Sequence, residues 1–318
     1  MAARLAPSDD MQNAFTAPLA STARVRVTRR KGWWAAYLYL LPGLIFLIAF
    51  SLWPMVDSAY QSLFRINLLN PNRGFIGFDN YLALLDSPLF WQVFHNALVF
   101  ALGTVPISLV LALGLGMLLN KPLPLLGIFR TAIFYPTVLP MISAAAIWVF
   151  LYVPSYGLID RALEVLGIPG LNWLGSDSTA LIAVMIATIW KQAGYYMIFF
   201  LAGLQGISAD VLEASQLDGA NWWQSLRYIL LPLLMPTTVF VSTIALIAGI
   251  QAVDQVFLMT QGGPDNATNL PLYYLYQVAF MNWDTGQAAA LTILLLILLF
   301  GLSWFNYRSL DRFTHYGN

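Results

Sequence analysis

Six long apolar stretches, separated by short polar segments, set the pattern of this 318-residue chain. They run from about Trp33 to Trp53, Trp91 to Leu119, Ile128 to Tyr152, Ala180 to Leu204, Leu233 to Phe257 and Gln287 to Tyr307. About twenty apolar residues are enough for an α-helix to cross a bilayer. The stretches are solidly apolar rather than alternating, and lipid leaves no backbone group unpaired, so helices are favoured over strands. The pattern therefore predicts an all-α integral membrane protein with six transmembrane helices.

The segment before the first apolar stretch, residues 1–31, is rich in Ala, Ser, Thr and Arg and holds few large apolar residues. We interpret it as a disordered, basic cytoplasmic tail that ends in a topology anchor, Arg29–Lys31. A transit peptide is the alternative, but Asp9 and Asp10 disfavour it. The first apolar stretch is too long for a cleaved signal, so residues 32–318 are predicted to form one transmembrane domain.

Composition excludes several classes of function. Apolar residues make up 59% of the chain and charged residues 9%, against roughly a quarter charged in soluble domains. The absence of cysteine excludes disulfides, thiolate metal sites and cysteine nucleophiles. Two histidines, His95 and His315, cannot build a histidine-rich metal site. The chain also lacks the phosphate-binding G-x-x-x-x-G-K-S/T loop, so it has no evident means of hydrolysing ATP.

The basic residues predict the orientation of the spans. With the amino terminus inside, eleven lie in cytoplasmic segments: Arg4, Arg24, Arg26, Arg29, Arg30, Lys31, Lys121, Arg130, Arg227, Arg308 and Arg312. Three lie in outer segments: Arg65, Arg73 and Arg161. Because basic residues concentrate on the cytoplasmic side, both termini are predicted to be cytoplasmic. The same applies to the loop between spans four and five, about residues 205–232.

That loop is predicted to form a short helix, a turn and a second short helix. Ser208 can cap the first helix, and Gly219 suits the left-handed turn that ends such a helix. The loop has three acidic residues and a single Arg227, whereas amphipathic linkers that lie on lipid usually carry Lys and Arg. This composition favours a protein partner over lipid, with Glu213 as the charged contact.

Apolar side chains of the loop are expected to hold it against the transmembrane bundle: Val211, Leu212, Leu217, Trp222, Trp223, Leu226 and Ile229. Ala214 and Ser215 are small, so they should leave a surface that another protein can approach closely. Leu231 and Pro232 then redirect the chain into the fifth span.

The loop contains Glu213-Ala214-Ser215, then Gly219, then Ile229-Leu230-Leu231-Pro232. This spacing resembles the E-A-A signature loop of permease subunits in binding-protein-dependent ABC importers. Three further segments resemble the carbohydrate-uptake branch, similar to the first permease of maltose-type and glycerol-phosphate-type systems: Phe75–Tyr81, Leu201–Ile207 and Thr260–Pro264. The resemblance covers roughly residues 33–305.

The resemblance implies a type I importer permease fold in a bacterial inner membrane, with a coupling loop that fits a groove on a cytoplasmic ATPase. The ATPase-coupling residues would be Glu213, Ala214, Ser215, Asp218, Gly219, Ile229, Leu231 and Pro232. It also implies a heterodimer with a second, homologous permease, two ATPase subunits that use ATP and Mg²⁺, and an extracytoplasmic solute-binding protein. No cofactor or metal is expected on this chain, and no nucleic acid as a partner.

Polar residues inside the spans are candidates for a solute pathway, because such residues are costly in lipid. The fourth span contains Trp190, Lys191 and Gln192, and the fifth contains Gln251 and Asp254 toward its outer half. Sugar sites commonly combine an aromatic platform with amide and carboxylate partners, which these side chains can supply. Alternatively, Lys191 and Asp254 pair across neighbouring spans as structural groups.

Small residues in the fifth span, Ala245, Gly249 and Ala252, are predicted to share one helical face. That face could leave room for a ligand, or could let another helix pack closely. Alignment with maltose-type permeases places eight residues at a solute site midway across the membrane: Thr137, Met141, Trp190, Lys191, Gln192, Ala245, Gly249 and Ala252. The expected solute is sugar-like: an oligosaccharide, a monosaccharide, a polyol or glycerol-phosphate.

Two other classes fit the sequence less well. A secondary transporter driven by an ion gradient usually needs intramembrane carboxylates and an internal repeat, and Asp254 is the one acid in or near a predicted span interior. A membrane enzyme would need a nucleophile–base pair or a metal cluster, and none is evident. The outer acids Asp160, Glu164 and Asp177 are expected to be solvated, and Pro136 and Pro140 to bend the third span.

Overall fold

A computed structural model describes residues 33–67, 70–121 and 124–311 of the chain. The tail of residues 1–31 lies outside this range, so its disorder and cytoplasmic location stay predictions. The chain divides into two compact units at Pro54. The larger unit begins at Met55 and contains the packing contacts and the candidate site described below.

Helices make up most of the described chain. They are α1 (Trp33–Leu47), α2 (Trp53–Gln61), α3 (Asp79–Leu85), α4 (Pro88–Leu119), α5 (Leu126–Val138), α6 (Met141–Leu151), α7 (Leu158–Val165), α8 (Asp177–Gln205), α9 (Ala209–Leu217), α10 (Trp222–Ser225), α11 (Leu231–Leu233), α12 (Met235–Ile250), α13 (Asp254–Met259), α14 (Pro271–Tyr276) and α15 (Thr285–Asp311). Short π-helical segments lie at Ile48–Leu52, Leu226–Leu230 and Gln277–Met281. Two strands, β1 (Phe64–Asn67) and β2 (Asn70–Phe75), pair antiparallel.

The described part of the chain has five or six candidate membrane spans, depending on how one bent pair of helices is counted. Five helical segments in the described part of the chain are long and apolar enough to cross a bilayer: Tyr37–Gln61, Pro88–Leu119, Asp177–Gln205, Met235–Met259 and Thr285–Arg308. A sixth is the pair α5 and α6, which meet at an angle of 101°. If this bent pair is one span, the described chain has the six spans that the apolar pattern predicts.

The third span is broken rather than continuous from Ile128 to Tyr152, as the sequence alone had suggested. The helix α5 ends at Val138, and Leu139 has extended backbone angles, φ −68° and ψ 139°. A residue that precedes proline is pushed out of the helical region, and Pro140 has no N–H group with which to continue the hydrogen-bond ladder. The bend expected at Pro136 and Pro140 therefore becomes a complete break at Pro140.

The fifth span is also interrupted. The helix α12 ends at Ile250, and α13 begins only at Asp254. Ala252 consequently lies in the connection between the two helices, so the expectation that it shares a helical face with Ala245 and Gly249 is wrong. Gln251 and Asp254 flank this interruption.

The centre of the bundle is formed where α4 and α8 pack along their length. Phe100, Ala183 and Ala187 are fully buried there, and small residues of this kind let helices approach closely. Tyr152 donates a hydrogen bond from its hydroxyl to the carbonyl of Ala183 at 3.1 Å, which ties the end of the third span to α8. These contacts fix the relative positions of the helices that surround the candidate site.

The helices α12 and α15 are joined by a polar clamp. Asn306 donates from Nδ2 to the hydroxyl oxygens of Ser242, at 3.0 Å, and Thr243, at 2.8 Å. Hydrogen bonds between transmembrane helices typically contribute about 0.6–2 kcal/mol. The clamp therefore fixes the register of the last span against the helix that forms one wall of the site.

A small β-hairpin was not foreseen by the all-α prediction. β1 and β2 are only four and six residues long, too short to stand out from a chain dominated by long apolar runs. Asn80 stabilises the hairpin by donating from Nδ2 to the carbonyls of Ser62, at 2.7 Å, and Phe64, at 3.0 Å. The rings of Phe64 and Phe75 pack edge to face across the two strands.

Asp160, in α7, is buried, so the expectation that it is solvated is wrong. Its side chain is 1% exposed. It accepts hydrogen bonds from the backbone N–H groups of Ser155, at 3.0 Å, and Leu171, at 3.3 Å, and from the indole of Trp173, at 2.7 Å. Glu164 is exposed, as expected. The Asp160 carboxylate thus holds together the connection between α6 and α8.

We predict that Asp160→Ala destabilises the protein on the order of 1–3 kcal/mol, because it leaves buried donors unpaired. The Ser155 N–H lowers the pKa of Asp160 below its ordinary value; burial opposes this effect, and the Trp173 and Leu171 donors add to it. A lowered folded-state pKa means that the stabilisation is complete above the ordinary pKa of about 3.9 and is lost as the pH falls through the folded-state pKa.

Thermal unfolding of the purified protein between pH 3 and pH 7 measures this effect. The wild type should lose stability at the acid end, and Asp160→Ala should be less stable at pH 7 but less sensitive to acid. The control is Glu164→Ala, on the same helix but exposed, which should match the wild type. Equal melting temperatures for the two variants at pH 7 would contradict the role given to Asp160.

Candidate functional site

A polar cavity of about 220 Å³ lies among α4, α8, α12 and the connection that leads into α13. Its lining consists of Thr104, Val105, Ser108, Met141, Thr188, Lys191, Gln192, Tyr196, Ala245, Ala248, Gly249, Gln251, Ala252, Val253, Asp254 and Gln255. Small-molecule pockets commonly measure about 300–1,000 Å³. The cavity is therefore small, and the polar side chains in its walls are mainly hydroxyls and amides.

Most of the side chains predicted for the solute pathway meet at this cavity. Eight of the ten line it: Met141, Lys191, Gln192, Ala245, Gly249, Gln251, Ala252 and Asp254. They come from α6, from α8, and from the segment that runs from α12 through the following connection to the first residue of α13. The interruption of the fifth span brings Gln251 and Asp254 to the cavity wall.

The two others, Thr137 and Trp190, do not line the cavity. The Thr137 hydroxyl donates to the carbonyl of Phe134, within its own helix, at 2.7 Å. The ring of Trp190 is 39% exposed and packs edge to face against Trp148, with ring centres 5.7 Å apart. Trp190 is therefore not placed as an aromatic platform here, and Tyr196 is the aromatic residue of the lining.

Five polar residues of the lining were missed by the sequence reasoning: Thr104, Ser108, Thr188, Tyr196 and Gln255. The signal that could have revealed them is their spacing. Thr104 and Ser108 are four residues apart on α4, and Thr188 and Tyr196 are each four residues from the predicted Gln192 on α8. Residues at this spacing share one helical face, so both helices present a polar stripe to the cavity.

Gly249 explains why space remains at this point. A Cβ atom built on Gly249 would meet no other atom within 4 Å, so its face of α12 opens into the cavity. Ala245, one turn earlier, is 3% exposed and belongs to the apolar core between α4 and α8. Of the two interpretations of these small residues, Ala245 therefore serves helix packing and Gly249 leaves room.

Lys191 and Asp254 both line the cavity. The Lys191 ammonium donates to the backbone carbonyl of Thr137 at 3.3 Å and is coupled electrostatically to the Asp254 carboxylate. Thr137 lies in the last turn of α5, beside the break in the third span. Lys191 is therefore hydrogen-bonded to the α5 side of that break.

The loop between α8 and α12 forms two short helices joined by a defined turn, as predicted. The Ser208 hydroxyl accepts a hydrogen bond from the N–H of Asp210 at 3.2 Å and caps α9. Gly219 adopts the left-handed conformation, with φ +80°. Asn221 and Gln224 then form a reciprocal capping box at the start of α10. Caps on both sides of the turn make this loop stiff. We call the loop, residues 206–234 between α8 and α12, the helical elbow.

The surface of this elbow differs from the expectation in two respects. Ser215 is 6% exposed; its hydroxyl donates to the carbonyl of Leu212 at 2.7 Å and lies 3.5 Å from the hydroxyl of Ser225. It therefore packs between the two short helices and is not part of an open surface. Leu217, Trp222 and Trp223 are 89%, 57% and 70% exposed, so they do not hold the elbow to the bundle.

The remaining predicted coupling residues lie on α9, on the turn after it and in the segment that leads into the fifth span. Glu213, Ala214, Asp218 and Gly219 are exposed on α9 and the turn. Ile229, Leu231 and Pro232 follow in the π-helical segment and α11, which lead into the fifth span. Leu226 is buried, as expected. The elbow therefore presents acidic and apolar side chains together on an open face.

Comparison with known proteins identifies the family. Residues 97–315 match the family described as binding-protein-dependent transport system inner membrane component, and the chain belongs to it. The trehalose/maltose transport system permease protein MalF of Thermococcus litoralis is 32% identical over 266 residues, 83% of this chain and 89% of the relative. The sulfoquinovosyl glycerol transport system permease protein SmoG of Agrobacterium fabrum is 33% identical over 264 residues, 83% of this chain and 86% of the relative.

A third relative is the sn-glycerol-3-phosphate transport system permease protein UgpA of Yersinia pestis, 30% identical over 284 residues, 89% of this chain and 96% of the relative. Among solved structures, a chain of a bacterial alginate ABC transporter has a TM-score of 0.78 at 22% identity and covers 90% of this chain and 96% of its own length. The predicted permease family and importer fold are thereby confirmed.

Proposed function

We propose that this chain is one permease subunit of an ABC importer for a sugar or sugar-like solute, and that the solute crosses through the polar cavity. The observation that carries the proposal is the convergence of hydroxyl and amide side chains from α4, α8 and the interrupted fifth span on one open space. Relatives named for trehalose and maltose, sulfoquinovosyl glycerol and glycerol-3-phosphate transport support a polyhydroxyl solute.

The driving force would come from separate subunits. The partners that we propose are a second, homologous permease, two cytoplasmic ATPase subunits that bind ATP and Mg²⁺, and an extracytoplasmic solute-binding protein. This chain would bind no cofactor of its own. The excess of basic residues on one side of the spans supports an inner-membrane orientation with both termini in the cytoplasm.

The helical elbow would transmit the motion of the ATPases. Glu213 and Asp218 are exposed on the elbow, as are Leu217 and Trp223, so the complementary ATPase groove should be apolar and carry basic residues. The elbow continues through α11 into α12, which forms one wall of the cavity. Displacement of the elbow could therefore change the width of the cavity through a continuous helical connection.

A cavity-filling substitution tests the pathway. Gly249→Leu should fold, because the Cβ position is open, and its side chain should occupy the cavity. We expect solute uptake to fall at least tenfold, while assembly with the ATPases is preserved. The measurement is uptake into proteoliposomes that contain the complete importer, with the solute that ligand profiling of the cognate binding protein identifies.

The matched control is Gly114→Leu on α4. A Cβ atom on Gly114 also meets nothing within 4 Å, but Gly114 is exposed and does not line the cavity. This variant should retain wild-type uptake. Full uptake by Gly249→Leu would show that the solute does not pass through this cavity.

A further inference from the structure

The lining of the polar cavity carries one formal positive charge, on Lys191, and one formal negative charge, on Asp254. Its other polar side chains, among them Thr188, Gln192 and Gln255, are uncharged hydroxyls and amides. The lining contributed by this chain is therefore electrically neutral overall, although it contains two full charges.

The positive charge, on the Lys191 ammonium group, is hydrogen-bonded to the backbone at the break in the third span. Because α5 ends at Val138, the carbonyls of its last turn need partners from outside the helix. Lys191 supplies one such partner, since its ammonium donates to the Thr137 carbonyl at 3.3 Å. A cation at the carboxyl end of a helix is also favoured by the helix dipole.

The negative charge lies on Asp254, an exposed residue that lines the same cavity as Lys191. Asp254 is the first residue of α13, and its carboxylate interacts electrostatically with Lys191. An anion in the first turn of a helix is favoured by the helix dipole. Each charge of the lining is therefore matched within the chain, by the other charge and by a helix end.

We propose that Lys191 and Asp254 act together as a charge filter, which admits uncharged polyhydroxyl solutes such as a neutral sugar or polyol and excludes anionic and cationic ones. This inference rests on the proposed function, because it takes the cavity as the solute pathway. A charged solute would bring an uncompensated charge against the buried part of the lining, which includes Thr104, Ser108 and Thr188, and burying such a charge is costly. Uncharged hydroxyls are matched by lining groups that both donate and accept hydrogen bonds.

An anionic solute bound by Lys191 is the opposing possibility, and the contacts disfavour it. Such a solute would have to compete with the Thr137 carbonyl for the ammonium group. It would also have to approach the Asp254 carboxylate, which lines the same space. A cationic solute would have to approach the positively charged Lys191, which lines the same space.

Three probes that share one pyranose ring separate charge from shape: methyl glucoside, methyl glucuronoside and glucosamine, which are neutral, anionic and cationic. Their binding to the assembled permease–ATPase complex in lipid nanodiscs is measured by saturation-transfer NMR. We expect the wild-type complex to bind the neutral probe at least tenfold more tightly than either charged probe.

Charge variants of the two residues then test their part in the filter. D254N leaves one positive charge and should shift the ratio of anionic to neutral probe affinity at least tenfold toward the anion. K191Q leaves one negative charge and should shift the ratio toward glucosamine by a similar factor. The double variant K191Q/D254N should restore the preference for the neutral probe.

Variants of Gln251 extend the test to a position that leaves the charge pair intact. Q251K should shift the ratio toward the anionic probe even if D254N does not assemble. Q251N is the matched control: it changes the lining without changing its charge, so it should alter the affinities for all three probes by the same factor.

The charge filter is overturned if the wild-type complex binds a charged probe as tightly as methyl glucoside, or binds none of the three. It is also overturned if the assembled charge variants leave the affinity ratios within twofold of the wild type. Import of a charged solute that Gly249→Leu blocks would refute the filter but leave the pathway standing. Full uptake by Gly249→Leu would instead refute the pathway.

Discussion

Replacing Gly219 with valine is expected to abolish solute-stimulated ATPase activity in the complete importer while leaving membrane insertion unchanged. Gly219 has a φ of +80°, a region in which a β-branched residue is strongly disfavoured. The N–H of Gly219 donates to the carbonyl of Gln216 at 3.0 Å, and the N–H of Ala220 donates to that of Ser215 at 3.0 Å. Valine should break this turn and change the angle between α9 and α10.

The structure separates this backbone effect from a steric one. A Cβ atom on Gly219 would meet nothing within 4 Å, so the cost of valine comes from the backbone conformation alone. Gly219→Asn should keep most of the stimulation, because asparagine tolerates the left-handed region better than other residues. Glu213→Lys tests the surface itself, since it reverses an exposed charge without strain in the turn, and it should also reduce stimulation.

Gly167 provides the matched control for the turn. Its φ is +75°, and a Cβ atom there also meets nothing within 4 Å. Gly167→Val therefore introduces the same kind of strain in the connection between α7 and α8, which lies on the predicted outer side. It should leave ATPase stimulation intact. Full stimulation of an assembled Gly219→Val complex, or an equal loss with Gly167→Val, would contradict the coupling role of the elbow.

Replacing Gly194 with alanine or valine is expected to have the largest effect on stability. A Cβ atom on Gly194 would fall inside the contact distance of the Ile133 carbonyl oxygen. That oxygen is backbone, so it cannot rotate away, and α5 would have to move from α8. Overpacking of this kind typically costs about 1–3 kcal/mol. We expect Gly194→Ala to lower the melting temperature clearly and Gly194→Val to prevent assembly.

Size-exclusion chromatography and thermal unfolding of the purified permease measure this effect. Gly114→Ala is the control, since it places a methyl group on a transmembrane helix where no atom lies within 4 Å. Alanine is favoured over glycine in a helix by about 0.8–1.0 kcal/mol, so this variant should be at least as stable as the wild type. A Gly194→Ala protein as stable as Gly114→Ala would disprove the close contact between α5 and α8.

Gly194 also bears on the candidate site. It lies less than one turn beyond Lys191 on α8, and both residues contact the last two turns of α5, through Ile133 and Thr137. The carboxyl half of α5 is therefore held against α8 by a close backbone contact and by a charged hydrogen bond. The break in the third span is fixed in place by these two contacts beside the cavity.

Local features of the site could be predicted because they depend on only a few neighbouring residues. Ser208 caps α9 because its hydroxyl can reach an N–H group two residues later. Gly219 occupies a left-handed turn because glycine lacks the Cβ atom that disfavours this conformation. Such capping and turn preferences depend on residues close together in the sequence. The two short helices and the turn of the elbow therefore form as predicted.

The orientation of exposed and buried side chains on the elbow could not be predicted in the same way. Ser215 is buried because α9 and α10 fold toward each other at that residue, and Leu217 is exposed because no part of the larger unit covers it. An apolar residue in a polar loop can pack against its own chain, or it can stay exposed until a partner protein covers it. Only the three-dimensional arrangement distinguishes these outcomes.

The sequence by itself determined the membrane class, the approximate extent of the apolar segments and the helix–turn–helix form of the elbow. These follow from the length of apolar runs and from residues with restricted backbone preferences, both of which act locally. The tertiary structure decided where the third and fifth spans break, and it placed Met141, Gln251 and Asp254 beside Lys191 while turning Trp190 away. That outcome depends on contacts between residues far apart in the chain, since a cavity is space that several helices jointly leave unfilled.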